Sequence, residues 1–323
     1  MRKKSSLPLK MSVGAGLGVG LLGALALAVR FGWQRSCARN QIPEEISPAI
    51  FATRVVNTPE GEIVYHTSGN GNPLLFLHGV FPGASSFEWS KIYPSFALQH
   101  HVLVPDLIGF GESQRPRQPI TTISQVHALA KFLDTTTDGT PVTIIASGLS
   151  ANLALLFSSC YPNKVARLLL WMPLLAIQGM PSLAQHHRLA WSPLLARIAY
   201  QRHFSTEAYI KQWLLRSGFS TEHSALQEVI TVLTSTAQQY GSEHAFLAQS
   251  SARFWRNLRS QLSPITAPVT LLMAQGSERL TEEAMISLRP FVSHFSITEI
   301  ETTSLLAPLI DPSLLITALS DVL

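Results

Sequence analysis

The sequence predicts an α/β fold: a doubly wound, mostly parallel sheet, with a helical cap inserted into it and an apolar helix ahead of it. Three observations carry this. From residue 50 onward, short apolar runs alternate with segments of helical period, as expected of strands buried on both faces of a parallel sheet. One long stretch, 174–263, lacks a strand pattern. Residues 11–29 form an uncharged run of 19 residues between Lys10 and Arg30.

The chain opens on a basic segment, 1–39. As a helix, the run 11–29 would span about 28 Å, close to the thickness of a bilayer's hydrocarbon core. No polar face interrupts it, which argues against a globular core helix. A cleaved signal peptide is the alternative, with Ala26-Leu27-Ala28 as the cleavage site. The run is longer than a signal core and is followed by Phe31, Trp33 and more arginine, so an uncleaved single-pass anchor is the preferred reading. Gly14, Gly16, Gly18 and Gly20 make two overlapping G-x-x-x-G spacings, consistent with a small-residue membrane helix. Four basic residues precede the run and three follow it closely, which favours the folded domain on the non-cytoplasmic side.

The body divides into a first core part (40–173), the cap (174–263) and a second core part (264–323). Strands are predicted at 63–65, 74–77, 102–105, 142–146, 168–172, 269–274 and 296–300. Helices are predicted at 90–99, 123–133, 149–161, 281–291 and 312–323. The cap is rich in Leu, Ala, Gln and His, and carries Trp191, Trp213 and Trp255. An insertion at this place lies over the strand ends, where ligands bind in such sheets.

Composition excludes several classes. Apolar residues make up 46% and charged residues 14% of the chain, the reverse of a disordered one. Two cysteines exclude a disulfide scaffold and multi-Cys zinc modules. Cys37 is juxtamembrane, and Cys160 is expected to pack in the core of an apolar helix. The formal charge of +4 arises in residues 1–40, which hold seven basic side chains and no acid. The rest carries 17 basic and 20 acidic groups, a net of −3 with no basic stripe, so nucleic acid is not an expected partner. No Walker loop, dinucleotide glycine fingerprint or metal-ligand cluster is present, so no cofactor is expected.

Three motifs stand in order. The strand 74–77 runs into His78-Gly79-Val80-Phe81. Asp106 to Ser113 reads D-x-x-G-x-G-x-S. The strand 142–146 runs through Ser147-Gly148-Leu149-Ser150 into an apolar helix. Together these resemble the α/β-hydrolase family from about residue 55 to the C-terminus. The stretch Gly83 to Trp89 looks like a membrane-associated plastid or cyanobacterial branch of it. That family places a nucleophilic serine on a strained strand-to-helix turn, in G-x-S-x-G. By this resemblance the nucleophile position is Gly148, the acid position Glu278 and the histidine position Leu305. No histidine follows His294. Two triad members are therefore replaced, by a glycine and a leucine. Ser147 and Ser150 are fallback nucleophiles and His78 a fallback base. The plainer expectation is small turn residues and a histidine supporting the loop, since a serine without a base is a weak nucleophile. The resemblance implies an oxyanion hole of the Val80 and Leu149 backbone N–H groups, which side-chain replacement does not remove. In the cap, His186, His187 and His203 are expected on helix surfaces, and adjacent histidines do not share a helix face as metal ligands. Asp106 and Asp311 are expected to be structural.

Three functions follow as expectations. The first is a degenerate homologue that binds an apolar ligand or a membrane partner between sheet and cap. The second is an esterase- or lipase-like enzyme with relocated catalytic residues. The third is an interaction scaffold without a pocket.

Overall fold

The computed structural model describes residues 51–116, 119–178, 193–302 and 304–323. The expected anchor at 11–29, Cys37, His186, His187 and Trp191 lie outside them. Among the described residues no helix is long and apolar enough to cross a membrane.

Eight strands form one sheet: β1 (Ala52–Thr58), β2 (Gly61–Ser68), β3 (Asn72–Leu77), β4 (His100–Pro105), β5 (Val142–Ser147), β6 (Val165–Trp171), β7 (Val269–Ala274) and β8 (Phe295–Ile300). Their order is β1-β2-β4-β3-β5-β6-β7-β8. β2 pairs antiparallel with β1 and β4, and every other pairing is parallel. Burial follows position. In the centre, β3 is buried from Pro73 to Leu77, and β7 is buried throughout. At the edge, β1 buries only Val56. An edge strand with one buried residue carries no apolar run, which is why the sequence reading missed β1.

Helices α1 (Thr122–Thr136) and α2 (Ser150–Cys160) connect the central strands, and α8 (Glu278–Leu288), α9 (Ala307–Ile310) and α10 (Pro312–Val322) complete the core. The α1 start is a capping box: Ser124 N–H donates to the Thr121 hydroxyl, and Thr121 N–H to the Ser124 hydroxyl. Two expectations need correction. The helix predicted at 90–99 is instead two 3₁₀ turns, Ser86–Trp89 and Tyr93–Phe96. Pro94 has no N–H, and its ring would clash with the carbonyl four residues back, so an α-helix cannot pass through it. Cys160, expected in the core, is exposed as the last residue of α2, where the helix has turned out of the packed layer.

Between β6 and β7 the described residues form helices α3 (Pro193–Ala199), α4 (Glu207–Arg216), α5 (Leu226–Ala237), α6 (Ser242–Gln249) and α7 (Leu258–Gln261), and no strand. This cap is seated on the core at specific points. Phe81 stacks on Trp213 of α4, with ring centroids 5.0 Å apart. Arg115 Nη2 donates to the Gly111 carbonyl at 2.6 Å and to the Gln239 side chain. Gly83 lies against the backbone of α5.

Candidate functional site

The strand order selects the site. From β3 the chain proceeds to β4 on one side, and from β5 to β6 on the other. Ligands of such sheets bind at that switch point, beyond the carboxyl ends of the strands. His78, Gly79 and Val80 follow β3, while Ser147 ends β5 and Gly148-Leu149 turns into α2.

Gly148 is half-exposed and has a φ of +53°, the left-handed region that glycine enters without a Cβ penalty. A Cβ added there would meet no atom within 4 Å. Its N–H donates to the Trp171 carbonyl at 3.1 Å, and its carbonyl accepts from Leu174 N–H at 3.0 Å. The turn thus has open space beside the Gly148 Cα.

Trp171 also reaches the histidine position. Its indole N–H donates to the Leu305 carbonyl at 3.0 Å, and Leu305 itself is 37% exposed. One residue thereby ties positions 148 and 305 to the same strand end. Glu278 is the exposed first residue of α8 and has no hydrogen bond or ion pair among the described residues.

The fallback residues are already engaged. The Ser150 hydroxyl donates to the His78 carbonyl at 2.6 Å. The Ser147 hydroxyl donates to the Glu88 carboxyl. His78 is fully buried: Nδ1–H donates to the Gly79 carbonyl at 2.8 Å, and Nε2 accepts from Leu107 N–H at 3.1 Å. Both ring nitrogens are in use. Burial pushes the His78 pKa down, against the pull of Asp106, and keeps the ring neutral. Asp106 is a hub of the loop after β4, its carboxyl oxygens accepting from Ser86 N–H at 2.6 Å and Glu112 N–H at 2.7 Å. Asp311 accepts from the Ser313 hydroxyl at 2.7 Å, beside the start of α10. His203 packs against Tyr209 and Phe204, with centroids 4.7 and 5.0 Å away.

The N–H groups of Val80 and Leu149 have no acceptor among the described residues. Leu149 is the cap position of α2, so its N–H is among the donors a helix start leaves free. Phe81, which follows Val80 directly, is the ring stacked on Trp213.

Glu88 is the residue that sequence reasoning missed. It is fully buried, and its Oε2 accepts from Gly79 N–H at 2.6 Å. Desolvation pushes its carboxyl up to about 7, against the hydrogen bonds from Ser147 and Gly79. The available signal was a lone acid between Phe87 and Trp89 in a loop of small residues.

Asn152 braces the turn from behind. It is fully buried; its Nδ2 donates to the carbonyls of Leu149 at 2.9 Å and Leu174 at 2.8 Å, and its Oδ1 accepts from Ala176 N–H at 2.8 Å. Asn152→Ala strands these groups and is expected to cost about 2–3 kcal/mol in urea unfolding. A loss below about 1 kcal/mol would show that water replaces the amide.

Two cavities lie elsewhere. One of about 10 Å³ sits between Phe81, Gly83 and the cap residues Tyr200, Thr236 and Phe246. The other, of about 350 Å³, is lined by Pro59, Glu60, Ile108, Pro116, Pro119, Ile120 and Ser124. Gly148, Glu278 and Leu305 line neither. Among the described residues no three His, Cys, Asp or Glu side chains converge.

Comparison with known proteins agrees with this geometry. The profile of the alpha/beta hydrolase fold matches residues 72–277. The 2-hydroxy-6-oxo-2,4-heptadienoate hydrolase of Pseudomonas putida is 33% identical over 107 residues, 32% of this chain and 38% of that one. The soluble epoxide hydrolase of a Corynebacterium species is 46% identical over 52 residues, 16% of this chain and 18% of that one. The match thus spans well under half the length of these curated relatives. Among solved structures, an alpha/beta hydrolase from Nostoc sp PCC 7120 superposes with a TM-score of 0.68 at 19% identity, covering 84% of this chain and 97% of that one. A bacterial membrane phospholipase A does so with a TM-score of 0.64 at 20% identity, covering 94% of this chain and 96% of that one. The order of the sheet, the turn after β5 and the profile match over its central 206 positions lead to one conclusion: the chain belongs to the α/β-hydrolase fold family.

Proposed function

We propose that this chain is a membrane-anchored α/β-hydrolase-fold protein that binds an apolar ligand by its carbonyl or carboxylate group and does not carry out serine hydrolysis. The observation that carries the reading is Gly148. It opens the nucleophile position to free space beside two unpartnered N–H donors, Val80 and Leu149. Leu305 in place of a histidine supports it, as do the hydroxyls of Ser147 and Ser150, which both donate within the protein. Two aimed donors without a nucleophile or a base bind an oxygen but do not cleave its bond. Phe81, next to Val80 and stacked on Trp213, favours an apolar tail on the ligand. The anchor rests on the uncharged run at 11–29.

The relatives favour a second reading, since both curated proteins above are named hydrolases. One experiment separates the two. The chain is treated with a serine-reactive fluorophosphonate and its intact mass is measured. The expected result is no adduct on folded protein. An adduct mapping to Ser147 or Ser150 would replace the binding reading with an enzyme using relocated chemistry.

A further inference from the structure

We propose that Glu88 is a specificity-determining residue of the donor pair: with its carboxyl neutral the pair accepts a carboxylate, and with it ionised the pair accepts only an uncharged carbonyl. The proposal rests on the reading of Val80 and Leu149 as a binding pair, and it names the ligand class that pair selects.

The geometry is specific. Glu88 Oε2 accepts from Gly79 N–H at 2.6 Å, and Gly79 directly precedes Val80. The same carboxyl accepts from the Ser147 hydroxyl, and Ser147 leads through Gly148 to Leu149. One carboxyl therefore touches both segments that carry the donors. Its second oxygen, Oε1, is buried and has no hydrogen-bond partner. A full charge with an unpartnered oxygen is costly in such a place, and an anion at the donors would add a like charge close by.

Among the described residues Glu88 makes no ion pair. The turn Ser86–Trp89 holds no other titratable group. After β3 comes His78, whose ring is held neutral. After β4 comes Asp106, itself acidic and engaged with Ser86 and Glu112. Ala307–Ile310, packed on the same turn, has no titratable side chain. Arg115 is directed to Gly111 and Gln239. Burial accordingly pushes the Glu88 carboxyl up to about 7, where the choice between the two forms is open near neutral pH.

The test is calorimetric titration of the full chain with octanoate, ionised throughout, and with octanamide, which carries no charge. Binding that requires the neutral form weakens in proportion to its population. From pH 6 to pH 8 the Kd for octanoate is expected to rise about tenfold, while that for octanamide stays level. Glu88→Gln is expected to hold octanoate at both pH values with the parent's pH 6 affinity. A variant that fails to fold leaves a readout in the parent: octanoate binding takes up close to one proton at pH 8 and few at pH 6, measured from heats in buffers of different ionisation enthalpy. An octanoate Kd independent of pH, or no proton uptake at pH 8, overturns the role of Glu88 and leaves the donor pair standing. Binding of neither compound at any pH overturns the donor-pair reading, and this inference with it.

Discussion

Replacing Gly83 with alanine is expected to destabilise the protein by roughly 3–5 kcal/mol. Gly83 has a φ of +79°, and an added Cβ would lie 2.1 Å from the Leu233 carbonyl oxygen and 2.8 Å from its carbon. The obstruction is backbone of α5, not the end of a flexible side chain, so relief requires the cap helix to retreat from the loop after β3. The left-handed conformation adds its own cost of about 1–2 kcal/mol for any residue with a Cβ. Calorimetry should show a melting temperature lower by about 6 °C or more. A variant melting within about 2 °C of the parent would show that the cap is free to shift, and that Gly83 is not a fixed contact between cap and core.

Glu88→Gln should change how stability depends on pH. Burial raises the folded-state pKa from its ordinary 4.5 to about 7. The unfolded chain therefore loses this proton first as pH rises, and the folded state binds more protons between those values. Stability from this group is complete below about pH 4.5, falls as pH rises toward 7, and is level above that. The loss amounts to about 3 kcal/mol. Glutamine has no proton to lose and keeps an oxygen for Gly79 N–H. Denaturant unfolding at pH 5 and pH 8 should show the parent losing about 2.5 kcal/mol relative to the variant. Parallel losses in the two proteins would mean that Glu88 is already ionised at pH 5.

Much of the site was legible from the residues alone, because it is built on chain neighbours. His78 to Val80 and Ser147 to Ser150 are short motifs that follow apolar runs, and buried parallel strands announce themselves as such runs. Gly148 at the turn and Leu305 after the last strand are read directly from order along the chain. Glu88 was not legible in the same way. Its role depends on a 3₁₀ turn returning the chain under Gly79 and beside Ser147, 59 positions further on. The same holds for Asn152, two of whose three side-chain hydrogen bonds join a helix to the exit of β6.

The sequence by itself determined the family and the order of the central strands' motifs, since these depend on residue type and local period. The tertiary structure decided what the remaining groups do. It set Ser147 against Glu88, turned Ser150 to the His78 carbonyl, and left the Val80 and Leu149 N–H groups without an acceptor among the described residues. The physical reason is that a hydroxyl or a carboxyl takes its chemistry from its partners and its burial, and those are assigned only when distant segments pack together.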